Sequence, residues 1–185
     1  VTTGITVSVS SSADRALIAA GSLDVAAVHV FDAKTGEERV SLAGRPAWIR
    51  CAAFSPDGTQ LATGASSGAI SVWDLATRGE RVLSNDHGHA VTRIAFSPDG
   101  RLLASAGADG AVRVRDAIGG GEIAHHAASP RPGRPLAFAS DGRLALVRAD
   151  GRIAVVDAAD RGTVQTLSGH GGLPAALAFS ADGRF

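Results

Sequence analysis

Four copies of one pentapeptide recur along the chain at a nearly constant distance. They are Phe54-Ser-Pro-Asp-Gly58, Phe96-Ser-Pro-Asp-Gly100, Phe138-Ala-Ser-Asp-Gly142 and Phe179-Ser-Ala-Asp-Gly183, with phenylalanines 42, 42 and 41 residues apart. A fainter copy, Ser11-Ser-Ala-Asp-Arg15, lies 43 residues before the first. A fixed period of this size means that each repeat is one supersecondary unit. Such a unit is too small to bury a core alone and must stack on its neighbours.

The inside of each repeat reads as strands joined by hairpins. Ser-Pro-Asp-Gly has turn chemistry: proline fixes φ, aspartate tolerates the third position, and glycine accepts positive φ. A short apolar run follows each copy, then a second turn at Ser67-Gly68, Asp109-Gly110 or Asp150-Gly151. Next comes a segment ending in Asp: Ala69-Ile-Ser-Val-Trp-Asp74, Ala111-Val-Arg-Val-Arg-Asp116 or Arg152-Ile-Ala-Val-Val-Asp157. Ile70 and Val72, like Val112 and Val114, alternate with period two, which is a strand signal. The third repeat is predicted to have strands near 90–97, 102–107, 111–116 and 121–125, with Gly119-Gly-Gly121 as its last hairpin. No stretch has a helical period, so the chain reads as all-β.

A four-stranded repeat of this length resembles the WD40 family of β-propellers. The residues that carry the resemblance are the Phe-Ser-Pro-Asp-Gly turns, Gly88-His89, Gly169-His170 and Trp73-Asp74. It implies four-stranded antiparallel blades around a channel: about four blades and a leftover strand, forming an open arc or partial propeller. Blades are expected at about 1–44, 45–87, 88–129 and 130–170, with a partial one at 171–185. The resemblance also implies a buried tetrad of His, Ser/Thr, Asp and Trp in a complete blade. Mapped here, the third blade offers His89, Ser105 and Asp109 but has Arg115 in the tryptophan place. The second offers Thr63 and Trp73, with Arg45 and Ser67 in place of His and Asp, and His170 stands before the partial unit. The fourth keeps Asp150, while Leu146 and Val156 are apolar. A partly satisfied buried network costs more than a complete or an apolar one. On that ground Asp109 is expected to accept from turn amides or to pair with Arg115. Arg115→Trp is expected to stabilise by about 1 kcal/mol.

Composition narrows the function classes. The formal net charge is zero and no charged tract occurs, which removes the footprint of a general nucleic-acid binder. No apolar run approaches the roughly 20 residues of a membrane helix, and no signal peptide is visible. One cysteine, Cys51, suits a reducing, cytoplasmic compartment. Lys34 is the only lysine, and the Arg, Ala and Gly bias points to a bacterial source. Methionine is absent and residue 1 is valine, so the natural start is expected upstream.

No constellation reads as catalytic. Asp57, Asp99, Asp141 and Asp182 recur with the period, as do Asp32, Asp74, Asp116 and Asp157, so they read as turn formers before acids. His87-Gly-His89 and His125-His126 lack a third ligand at metal spacing. Cys51 sits beside Ala52 and Ala53 and reads as a small buried residue. Gly119-Gly-Gly121 lacks the Lys-Ser/Thr of a phosphate loop. No catalytic residue, metal or cofactor is expected.

Two features break the period, and these are the candidate partner contacts. One is Ser129-Pro-Arg-Pro-Gly-Arg-Pro135, bearing Arg131 and Arg134, which also reads as a stiff connection. The other is Trp48 with Arg50, and Arg93 in the equivalent place of the next blade, expected near the channel rim. Trp and Arg dominate binding hot spots, although packing of Trp48 on a neighbouring blade is an equal reading. The expected function is a non-catalytic scaffold or sensor that binds a protein or peptide, with self-association through open blade edges. The alternatives are a propeller hydrolase or lyase with a site at the channel mouth, or the regulatory part of a larger kinase, protease or NTPase.

Overall fold

A computed structural model describes residues 6–22, 27–43, 47–128, 135–159, 162–169 and 174–180. The described residues form four four-stranded antiparallel sheets, with no helix. The first contains β1 (Thr6–Ser11), β2 (Leu17–Ser22), β3 (Ala27–Asp32) and β4 (Glu38–Ala43). The second contains β5 (Ile49–Phe54), β6 (Gln60–Ala65), β7 (Ile70–Asp74) and β8 (Glu80–Ser84). The third contains β9 (Val91–Phe96), β10 (Leu102–Gly107), β11 (Ala111–Asp116) and β12 (Glu122–Ala127). The fourth contains β13 (Leu136–Phe138), β14 (Arg143–Val147), β15 (Ile153–Asp157) and β16 (Thr163–Leu167). Within each sheet the strands lie side by side in chain order, as hairpin chemistry dictates. We number the sheets as blades 1 to 4.

The first strand of each blade lies innermost. β5 contacts both β1 and β9, and β9 contacts β13, so these four strands line a common axis. The Ala52 amide donates to Ser8 Oγ across that wall at 3.2 Å. The apolar cores are the seams between blades. Val28, Val30 and Leu42 of blade 1 meet Phe54, Leu61 and Trp73 of blade 2. Ile70 and Val72 of blade 2 meet Val91, Phe96 and Leu103 of blade 3. Val112 and Val114 of blade 3 meet Leu144, Leu146 and Val156 of blade 4. Each fully buried side chain of this size contributes about 1.5–3 kcal/mol, and each of these clusters draws on two neighbouring blades.

The two outer faces differ. Leu177 and Phe179 pack on Ala145, Ile153 and Val155 of blade 4, although residues 174–180 form no strand. On blade 1 Val9 is 70% exposed and Ile18 and Phe31 are half-buried. Blade 1 and blade 4 lack the strand contacts that join consecutive blades along the axis, so the described blades form an open arc.

The recurrent turn is a hydrogen-bonded cassette. Ser55 donates its hydroxyl to Asp57 at 2.5 Å and accepts the Gln60 amide at 2.9 Å, while Asp57 accepts the Thr59 amide at 3.1 Å. Ser12 with Asp14, and Ser97 with Asp99, repeat this arrangement. The serine hydroxyl, then the backbone amide, hold all three carboxyls below the usual aspartate range. At the other turn Asp74 accepts the Ala76 and Thr77 amides at 3.1 and 2.7 Å. Asp32 does the same for Lys34 and Thr35, and Arg39 beside it brings its pKa to about 2. The periodic carboxylates among the described residues are therefore engaged in holding turns, and Asp182 lies outside them.

Two turns carry strain, one at Arg15 and one at Arg78, whose φ is 61°. Arg15 has φ 60° where Gly58, Gly100 and Gly142 have 71°, 73° and 87°. An L-residue pays about 1 kcal/mol or more there, while glycine loosens the unfolded chain by somewhat less. Arg15→Gly is expected to stabilise by about 0.5 kcal/mol, read as a rise in the urea midpoint.

Candidate functional site

Blade 2 shows how the repeat ties its strands together. β6 and β7 place Thr63 and Trp73 on the face toward blade 1, and the Trp73 indole N–H donates to Thr63 Oγ1 at 3.0 Å. Ser71 donates to Glu80 at 2.7 Å. Ser67 occupies the following turn, whereas Arg45 lies outside the described residues.

Blade 3 corrects one assignment. His87, not His89, joins Ser105 and Asp109. Its Nδ1–H donates to the Asp109 carboxylate at 3.0 Å, and Nε2 accepts the Ser105 hydroxyl at 2.9 Å; these partners define the tautomer. His87 is 1% exposed, while His89 is exposed. The reason is reach: His87 stands four residues before Val91, so its side chain can fold back over β10, and His89 stands too near the strand. Counting from the first strand residue, instead of matching Gly-His, would have found it. Gly107 makes the room, since a methyl group there would overlap the His87 ring and the Asp109 carboxylate.

Burial pushes the His87 pKa down, and this outweighs the raising effect of Asp109. Burial raises Asp109, but His87 and the Ala111 amide bring it net below the usual range.

Arg115 has partners of its own, and Asp109 is not among them. Its guanidinium pairs with Asp86, with Glu122 at 3.2 Å and with the Gly120 carbonyl at 3.3 Å. Asp109 instead approaches Arg113 at 3.9 Å, and Arg113 pairs with Glu122 at 3.0 Å. The groups thus close a ring: His87, Asp109, Arg113, Glu122, Arg115 and Asp86, the residue bonded to His87. Glu38, Glu80 and Glu122 recur with a period of 42, each beside a polar residue of the third strand of its blade, a signal the sequence reading did not use.

Among its described residues blade 4 has no such network, and the position one period after His87 lies outside them. Leu146 and Val156 are each 1% exposed, and Asp150 sits at an exposed turn accepting the Arg152 amide at 3.0 Å. His170, Arg131 and Arg134 lie outside the described residues.

The inner strands frame a groove lined by Ser8, Val9, Arg50, Cys51, Arg93 and Ile94. Arg50 and Arg93 are exposed, and neither makes an ion pair among the described residues. Their equivalence fails by one residue, because Arg93 pairs with Ala106 as Cys51 pairs with Gly64, while Arg50 and Thr92 sit at the irregular positions of their ladders. Trp48 is 56% exposed, so it does not pack away on a neighbouring blade. Its carbonyl accepts the Ser66 amide at 2.8 Å, tying it to the turn before β7. Burial pushes the Cys51 thiol up to about 12, which leaves it protonated and unreactive at neutral pH. Among the described residues no three of His, Cys, Asp and Glu come together as metal ligands.

The geometry agrees with comparisons to known proteins. Residues 36–74 and 80–116 match the family model described as "WD domain, G-beta repeat". A chain of the solved structure titled "Crystal Structure of Mitotic Checkpoint Complex" superposes with a TM-score of 0.79 at 22% identity. The match covers 92% of this chain and 52% of that one, so this chain spans about half the length of its structural neighbour. No curated protein matches the chain. Residues 36–74 and 80–116 thus match WD40 repeats, and the four stacked four-stranded blades have the fold of a partial β-propeller.

Proposed function

We propose that the chain is a non-catalytic binding scaffold that presents the axis end bearing Trp48, Arg50 and Arg93 to an acidic segment of another protein. One contrast carries this reading. The turn carboxylates and His87 are occupied in holding the blades, whereas these three side chains are exposed and the two arginines have no carboxylate partner among the described residues. Aromatic and arginine side chains at a concave, otherwise uncharged site are the usual anchors of protein interfaces. Among the described residues the groove lining contains no carboxylate or imidazole, which disfavours acid–base chemistry there. That the structural neighbour comes from a multi-protein complex supports a protein partner in general.

Peptide display against the intact chain is expected to enrich acidic sequences. Trp48→Ala and Arg93→Glu should each weaken the selected peptides by about tenfold or more without shifting thermal unfolding. Selected peptides that bind both variants as tightly as the original chain would overturn the reading.

A further inference from the structure

The loop at residues 85–90 is held at both ends of its reach. Within blade 3, His87 bonds to Asp109 and Ser105, and Asp86 pairs with Arg115. The Ala90 carbonyl accepts the Ala108 amide at 2.9 Å. Toward blade 2, the His87 carbonyl lies against Gly68, which has φ +92° and no space for a Cβ. The Ser66–Gly68 turn is in turn held by the Trp48 carbonyl. One buried imidazole therefore seats a loop that spans the seam between two blades and abuts the turn carrying Trp48.

We propose that this loop is a pH-sensitive latch, closed while His87 is neutral and released from blade 2 when His87 is protonated.

The charged groups around the imidazole decide the direction. Asp86 and Asp109 favour the imidazolium, Arg113 opposes it, and the Ser66–Gly68 turn of blade 2 contributes backbone with no titratable side chain. Ser105 could turn its hydroxyl to the Arg113 carbonyl at 3.4 Å, so protonation need not cost that bond. What opposes it is the burial of a new charge beside Arg113. With the folded pKa below the ordinary value of about 6.5, the open loop takes up the proton first. Closure is then fully favoured above about 6.5 and is lost as pH falls through the folded-state pKa.

Arg115 gives the latch its second anchor. In blade 2 the same position holds Trp73, whose indole stays within the sheet by bonding Thr63. Arg115 instead reaches out of its sheet to Asp86 on the loop. The departure from tryptophan thus has a consequence for the seam as well as for the blade.

Amide hydrogen exchange on the full chain tests this, compared as protection factors at about pH 7.5 and pH 5.5. The Ser66 and Ala108 amides are expected to lose protection by up to about tenfold per pH unit as pH falls from about 6.5 to the folded-state pKa, and to level off below it, while Ser55 and Asp74 at the opposite turns keep theirs. His87→Gln, which keeps a donor and an acceptor but cannot titrate, should abolish the pH dependence. Should that variant not fold, NMR titration of the original chain is expected to show His87 titrating below the free-histidine range. Asp86→Asn should lower loop protection at both pH values. Unchanged protection at Ser66 and Ala108, an equal loss in all four blades, or titration of His87 at or above the free range would each overturn the latch. Control of Trp48 presentation rests on the binding reading above, but the exchange measurement does not, so the two can fail separately.

Discussion

Arg115→Leu is expected to lower stability by about 2 kcal/mol in equilibrium urea unfolding, because it strips a 3% exposed guanidinium from Asp86, Glu122 and the Gly120 carbonyl. Breaking a fully buried pair costs about 3–5 kcal/mol. The discount reflects the partners, whose side chains are 45% and 30% exposed and are partly rehydrated when the arginine goes. Arg115→Trp keeps the apolar volume and can donate its indole N–H to Ser105, as Trp73 does to Thr63, so its cost should be smaller, about 1 kcal/mol. This reverses the stabilisation expected from the sequence, which rested on an apolar body replacing a charge and did not include Asp86 and Glu122 as partners. A midpoint that rises for Arg115→Trp would mean that the ion pairs contribute nothing net. A double-mutant cycle with Asp86→Asn would then show no coupling.

The second large effect is expected at Gly68. Two costs combine in Gly68→Ala: a positive φ of 92°, and a methyl group driven into the His87 backbone carbonyl. Backbone cannot rotate aside as a side chain can. The left-handed conformation costs about 1 kcal/mol and the forced displacement about 1–3, so the sum should be about 3 kcal/mol. Gly58→Ala is the control, with φ +71° and nothing within 4 Å of the added carbon. It should cost about 1 kcal/mol, the backbone contribution alone. Equal midpoints for the two variants would show that the 85–90 loop yields freely, and would weaken both this account and the latch.

Both predictions concern contacts between segments far apart in the chain, and such contacts mark the limit of what could be read without coordinates. The periodic turns were legible because their chemistry is local. Ser55, Asp57 and Gly58 hydrogen-bond or turn within five residues, so the pattern and the structure are nearly the same statement. The strands of blade 3 were legible for a related reason: alternation and hairpin glycines fix them one turn at a time. The Thr63 and Trp73 pairing was implied by the family resemblance, and it runs diagonally across the ladder, in which Thr63 lies opposite Ser71 and Trp73 opposite Leu61. Glu122 could have been found from the 42-residue recurrence of Glu38, Glu80 and Glu122.

The amino-acid sequence by itself thus determined the period, the turns, the four strands of each blade and the need of each blade for a neighbour, because these follow from local backbone preference and alternation. The tertiary structure alone decided that His87 displaces His89 and that Arg115 takes Asp86 across 29 residues, whereas the 42-residue period already put Arg93 with Cys51 and not with Arg50. Both of the first two depend on the path of the irregular loop at residues 85–90. There a shift of one or two residues turns a side chain from the core to solvent, and no periodic pattern records the shift.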